Sequence, residues 1–334
     1  MCARPKANNL RMRLKKLGLS ARAIEAAWPS WWSDEADTSE SARVELGFSV
    51  ARKLGIDPRS LLDDEQPRFV WRDEARFKHL SGEGVVELAA ITSFGRALGS
   101  LLIAGSPPEM STVGFSATEL RQTFLKTRRW IELSDLLALC WAIGIPVVHI
   151  RIFPWPQKRM AAMTVRVGHR SAILLGKDSS YPPHIAFYLA HEIGHLLLSH
   201  LSDDRVIVDL DTANPKLDDE DFEEESADRF ALELLTGSAK PVVLPLHGPS
   251  TAAELAQVTL ESGAELRIEP GMLALCFAYS TNRWATANAS LRKIYDSPRP
   301  VWREVNKVAR QELDFDRIPE DAVEYLEAVL GSVR

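Results

Sequence analysis

The chain has 334 residues, of which 46% are apolar and 26% charged, and a formal net charge of −6. These proportions exclude a collagen-like or wholly disordered chain. At about 150 residues per domain the length predicts two domains, with enough chain to bury a sizeable core.

The first thirty residues are basic: Arg4, Lys6, Arg11, Arg13, Lys15, Lys16 and Arg22 face the single acid Glu25. Such an end either meets a polyanion or is a solvated basic arm, and no groove-reading helix is identified in it. If it meets DNA, Arg11, Arg13, Lys15 and Lys16 are the expected nucleic-acid contacts. Charges recur every two or three residues from Asn8 to Ser20, so no secretory signal is expected there. Short helices follow: Leu17-Gly18 closes one, Ser20 caps the next, and Ser41 to Leu54 forms another that ends at Gly55 and restarts after Asp57-Pro58. This stretch resembles the last part of Xre-type helix-turn-helix domains. Trp28-Pro29-Ser30-Trp31-Trp32 stands where the turn and recognition helix should begin, so a degenerate, non-binding helical domain fits equally well.

Residues 63–82 are charged and lead to an apolar helix, Val85 to Leu102, closed by Gly105-Ser-Pro-Pro108, where a domain boundary is expected. Helices recur at Ala117 to Leu125 and Leu133 to Ile143. Three runs rich in valine and isoleucine, Val147 to Phe153, Ala161 to Val167 and Ser171 to Leu175, read as strands of a small sheet. Beyond Ser250 the period is helical again, broken at Pro270-Gly271 and Ser297-Pro298. Continuous apolar runs such as Met272 to Ala278 fall short of the roughly 18 residues of a spanning helix. No transmembrane helix and a cytoplasmic address are therefore expected. Cys2, Cys140 and Cys276 are too dispersed for a disulfide framework or a cysteine metal site, and two of them are expected to be buried thiols.

The informative segment is Ile185-Ala-Phe-Tyr-Leu-Ala-His191-Glu192-Ile-Gly-His195-Leu-Leu-Leu-Ser-His200. Helical residues four apart share a face, so His191 and His195 can offer two imidazoles to one metal ion, with Glu192 turned to act as general base. His200 falls on a different face and is expected to be exposed, and His184 reads as an N-terminal helix residue. A hydrolytic zinc site keeps three protein ligands. The acidic stretch Asp218 to Glu225 runs into a helix whose apolar stripe is Ala227, Ala231, Leu234 and Leu235, and extending that stripe backward reaches Glu224. Glu223 and Glu225 fall about 100° to either side and read as solvated. Asp228, one turn after Glu224, can hold the free N–H of a ligating imidazole. No oxyanion donor is identified; Tyr188 and His200 are merely close in sequence. No glycine-rich phosphate loop follows a strand.

The segment Phe187-Tyr-Leu-Ala-His-Glu-Ile-Gly-His-Leu-Leu-Leu, preceded by Ala172-Ile-Leu-Leu and followed by Glu224-Glu-Ser-Ala-Asp-Arg-Phe-Ala231, resembles the ImmA/IrrE metallopeptidase family over roughly Leu133 to Leu235, with a weaker echo in Thr251 to Leu275. The resemblance implies a zincin-type endopeptidase with one Zn²⁺ or other divalent ion per chain, typically encoded in bacteria or their mobile elements and cleaving a helix-turn-helix repressor. Carried over residue by residue, it makes His191, His195 and Glu224 the metal ligands and Glu192 the base. Asp228 stands where the family more often has Asn, and Thr236-Gly-Ser-Ala replaces a usual Met-Pro ending. The expected architecture is α+β and mostly helical, with a three-stranded sheet packed on the His191–His195 helix. The expected divisions are a helical, possibly helix-turn-helix-like region 1–65, a connecting region 66–130, a zincin-like core 131–240 and a helical region 241–334. The rival function is a non-catalytic DNA- or repressor-binding regulator on the same fold. An intact Glu192 favours the enzyme, because binding alone requires no base there.

Overall fold

A computed structural model describes residues 7–62, 66–70, 82–110, 115–156, 160–200, 206–210, 222–242 and 251–331. Along the chain the elements are α1 (Ala7–Lys16), α2 (Ala21–Ala27), α3 (Glu40–Leu54), α4 (Pro58–Leu62), α5 (Gly82–Ala104), α6 (Ala117–Leu125), α7 (Leu133–Ala142), β1 (Val147–His149), β2 (Met160–Val167), β3 (Arg170–Leu175), α8 (Pro182–Leu197), β4 (Val206–Leu210), α9 (Phe222–Thr236), α10 (Ala252–Leu266), α11 (Pro270–Thr281), α12 (Trp284–Ile294), α13 (Val301–Glu312) and α14 (Glu320–Leu330). The chain is α+β and mostly helical. Local chemistry sets many of these limits. The Ser20 hydroxyl accepts from the Ala23 amide at the start of α2, and Gly55 closes α3 in the left-handed region at φ 67°, where a side chain is disfavoured.

The sheet has four strands in the order β1-β3-β2-β4, a correction to the three expected. The added strand, Val206-Ile-Val-Asp-Leu, is short and follows α8, so nothing local in its three β-branched residues joins them to the sheet. It pairs antiparallel with β2, placing Thr164 opposite Ile207, while on the other edge of β2 Thr164 lies opposite Ile173 of antiparallel β3. Strand β1 runs parallel to β3, with Val148 opposite Leu174. Strand β2 is thereby central, and its residues Met160 to Val165 are buried.

Helix α5 covers one sheet face and α8 the other. By length and composition the stretch Val86–Gly105 is apolar enough to cross a membrane, which the expectation from continuous apolar runs overlooked because Glu87, Thr92, Ser93 and Arg96 interrupt it. In the fold most of the stretch is buried. Phe94 and Leu98 join Met163, Val165 and Leu174 of the sheet, Leu14, Ile24, Leu46 and Val50 of the N-terminal helices, and Tyr325 and Leu326 of α14 in one apolar cluster. Burying Tyr325 and Leu326 contributes on the order of 2–3 kcal/mol each. The N-terminal helices are also tied by hydrogen bonds: Ser20 donates its amide to the Pro154 carbonyl (2.7 Å) and its hydroxyl to that of Phe153 (2.6 Å), and the Tyr325 hydroxyl donates to the Lys53 carbonyl (2.8 Å). On the opposite face Ala162, Ile173 and Leu175 pack with Leu136, Leu189, Leu234 and Met272. Cys140 and Cys276 are buried free thiols, and burial pushes Cys140 up to about 12. Cys2, Arg4, Lys6 and the acidic positions 218–221 lie outside the described residues.

Candidate metal centre

Helix α8 begins with Pro182 and Pro183 in its first turn, where their missing amide hydrogens cost nothing. Its apolar residues Ile185, Leu189, Ile193 and Leu196 enter the second cluster, which anchors the helix that carries His191 and His195. The two imidazoles meet with Nε2 atoms 2.9 Å apart. Helix α9 crosses close beside them because Gly194 has no side chain: a Cβ there would stand 3.2 Å from Phe230 Cβ and 3.3 Å from Ala227 Cα. Ala227, Phe230, Ala231 and Leu234 bury the facing stripe of α9. One turn before Ala227, the Glu224 carboxylate lies 3.2 Å from His191 Nε2 and 3.4 Å from His195 Nε2.

One donor atom from each of His191, His195 and Glu224 falls within 4.8 Å of the others, a grouping fit for a metal ion. Glu223 and Glu225 are outside it. His195 is fully buried and His191 nearly so, whereas the Glu224 side chain is 44% exposed, so solvent reaches the cluster from the α9 side. Asp228 Oδ1 lies 2.9 Å from His191 Nδ1. A hydrogen on Nδ1 donated to that carboxylate leaves the Nε2 lone pair for a cation. Burial alone would depress the His191 pKa, but hydrogen bonds to Asp228 and Glu224 and the charge of Glu192 outweigh it and raise it to about 10. Burial would raise the Glu224 carboxyl, yet the two imidazoles hold it well below the usual carboxylate range. Two buried nitrogens facing carboxylates favour positive charge, and two imidazoles with a carboxylate are a donor set suited to zinc. The residues therefore fit a divalent ion.

Glu192 is fully buried outside the ligand grouping, and its Oε2 accepts the hydroxyl hydrogen of Thr164 on β2. Nothing in the chain order links Thr164, a sheet residue, to a helix residue 28 positions later. His200 requires a correction: it is half-buried, and its Nδ1 lies 3.0 Å from His195 Nδ1. Helical phase does not extend to it, since α8 ends at Leu197 and Ser199 turns left-handed at φ 59°. The His200 amide then donates back to the His195 carbonyl (3.0 Å). Ser226 Oγ lies 3.1 Å from His200 Nε2, a contact only α9 packing reveals. His184 sits in the first turn of α8, away from the ligand grouping. Tyr188 packs edge-on against Phe187.

The basic candidates divide. Arg11 pairs with Glu25 at 2.7 Å and lies 4.0 Å above the Trp28 ring. Arg13 donates to the Ser60 and Leu61 carbonyls at 2.7 and 3.1 Å, closing α4. Lys15 and Lys16 are exposed in the last turn of α1, where their charges complement the helix dipole. Helix α3, the expected last helix before Gly55, buries Leu46, Val50, Ala51 and Leu54. No protein-family model, curated protein or solved structure matches the chain.

Proposed function

We propose that this chain is a zinc-dependent endopeptidase of zincin type that cuts one intracellular protein, a helix-turn-helix transcriptional repressor, in stress response or mobile-element regulation. The observation that carries the reading is the convergence of His191 Nε2, His195 Nε2 and the Glu224 carboxylate from two helices, with Glu192 on the turn between the histidines. These three residues would hold a zinc ion, which would supply a Lewis acid for the scissile carbonyl. Glu192 takes the proton of the attacking water and returns it to the leaving amine. Thr164 orients its carboxylate, and Asp228 keeps His191 in the tautomer that binds metal. The half-exposed Glu224 side gives an extended peptide its approach.

A cleft of this type discriminates only modestly among extended peptides, so selection of one substrate rests on surfaces beyond it. Helices α10 to α12 pack into their own apolar cluster and leave Leu260, Leu266, Tyr279 and Trp284 exposed, which offers one such surface. The test incubates the purified protein and Glu192→Gln with denatured casein and with the repressor encoded nearest its gene. Single-site cleavage of the repressor by the wild type alone supports the proposal. Rapid casein degradation, or no cleavage of either protein with zinc bound, contradicts it.

A further inference from the structure

The second ligating histidine has no carboxylate behind it among the described residues; it has another histidine. The Ser226 hydroxyl has one hydrogen and donates it to the Glu223 carbonyl, 3.0 Å away, within the first turn of α9. Toward His200 the same oxygen therefore offers lone pairs, and His200 Nε2 at 3.1 Å carries the hydrogen between them. A neutral imidazole with hydrogen on Nε2 has an acceptor at Nδ1. That acceptor lies 3.0 Å from His195 Nδ1, which must then be the donor. Hydrogen on Nδ1 leaves the His195 Nε2 lone pair directed at His191 and Glu224.

Resting on the metal-site reading above, we infer that His200, itself oriented by Ser226, is a positioning residue that fixes His195 in its metal-binding tautomer. His200 is not a fourth ligand, because it meets His195 at Nδ1, whereas the ligand grouping uses Nε2. Its place depends on the left-handed turn at Ser199, which folds the chain back beside α8. Ser226 stands two residues from Glu224, so the chain of hydrogen bonds joins the end of α8 to the turn of α9 that carries the third ligand. The two histidines are thus held differently, His191 by the Asp228 carboxylate and His195 by the His200 ring.

The experiment measures zinc affinity of the full-length protein by competition with a chromophoric chelator, alongside long-range ¹H–¹⁵N spectra of the imidazoles. His200→Ala should weaken zinc binding by about 10–100-fold, the usual cost of removing a partner behind a metal ligand. His200→Asn, whose amide oxygen can accept from Nδ1–H, should restore most of it, and Ser226→Ala should give an intermediate loss. The wild-type spectrum should show His195 with hydrogen on Nδ1. Should His200→Ala fail to fold, that wild-type spectrum decides alone, and hydrogen on His195 Nε2 overturns the inference. Zinc bound equally tightly by wild type and a folded His200→Ala also overturns it while leaving the metal site standing. A wild type that binds no zinc overturns both.

Discussion

Thr164 on the central strand donates its hydroxyl hydrogen to Glu192 on the helix that covers the sheet, and both side chains are fully buried. A hydrogen bond to a charged group contributes about 1.5–3 kcal/mol, and its loss leaves a buried carboxylate short of a donor. Thr164→Val should therefore destabilise the protein by about 2 kcal/mol, measurable by urea unfolding, without removing zinc. Thr164→Ser keeps the hydroxyl and should recover most of that stability. Equal stability of Thr164→Val and the wild type would remove Thr164 from the account.

Gly194 permits the contact between α8 and α9 that brings Glu224 to the two histidines. A Cβ at that position meets Phe230 Cβ at 3.2 Å and Ala227 Cα at 3.3 Å, tighter than side chains ordinarily pack. Gly194→Val should cost about 1–3 kcal/mol through overpacking and weaken zinc binding by pushing Glu224 from the histidines. Gly194→Ala should do less, because its gain in helix propensity, about 1 kcal/mol, offsets part of the crowding. Unchanged zinc affinity in a folded Gly194→Val protein would show that the close approach does not position Glu224.

Much of this arrangement was legible in the chain because its signals are local. The spacing of His191 and His195, the cap at Ser20, the stop at Gly55 and the phase that singled out Glu224 each depend on one element's own geometry. What escaped depends on contacts between elements or on chain beyond a helix end. Thr164 reaches Glu192 across the sheet–helix interface, His200 returns to His195 only through the left-handed Ser199, and β4 completes the sheet after an intervening helix. The basic stretch is legible only in part. Charge alone does not distinguish a solvent-facing Lys15 from an Arg13 occupied with carbonyls of α4.

That distinction is measurable. Arg13→Ala removes donors from the Ser60 and Leu61 carbonyls and should cost about 1–3 kcal/mol. Lys15→Ala and Lys16→Ala should stay within about 0.5 kcal/mol of the wild type, as surface substitutions do. Thermal unfolding of the three variants checks the order. A neutral Arg13→Ala would free that residue for the electrostatic role its sequence suggested.

His184 supplies a pH dependence. Burial, aided by the charge of Lys177, lowers its pKa from 6.5 to about 4, and its buried Nδ1 has no hydrogen-bond partner among the described residues. The unfolded chain therefore binds this proton more readily, so stability present above pH 6.5 is lost as pH falls toward 4, by roughly 3 kcal/mol at pH 4. His184→Phe should lose less stability over the same interval. Parallel pH profiles of the thermal midpoint for the two proteins would contradict this.

Elemental analysis of the purified protein and of its variants at His191, Glu192, Glu223 and Glu224 decides whether the cluster is a metal centre. About one zinc per chain is expected in the wild type, in Glu192→Gln and in Glu223→Ala, and little or none in His191→Ala or Glu224→Ala. Glu192→Gln keeps the metal because its carboxylate lies outside the ligand grouping. Absence of metal from the wild type after zinc reconstitution, or full retention by Glu224→Ala with loss in Glu223→Ala, would contradict this expectation.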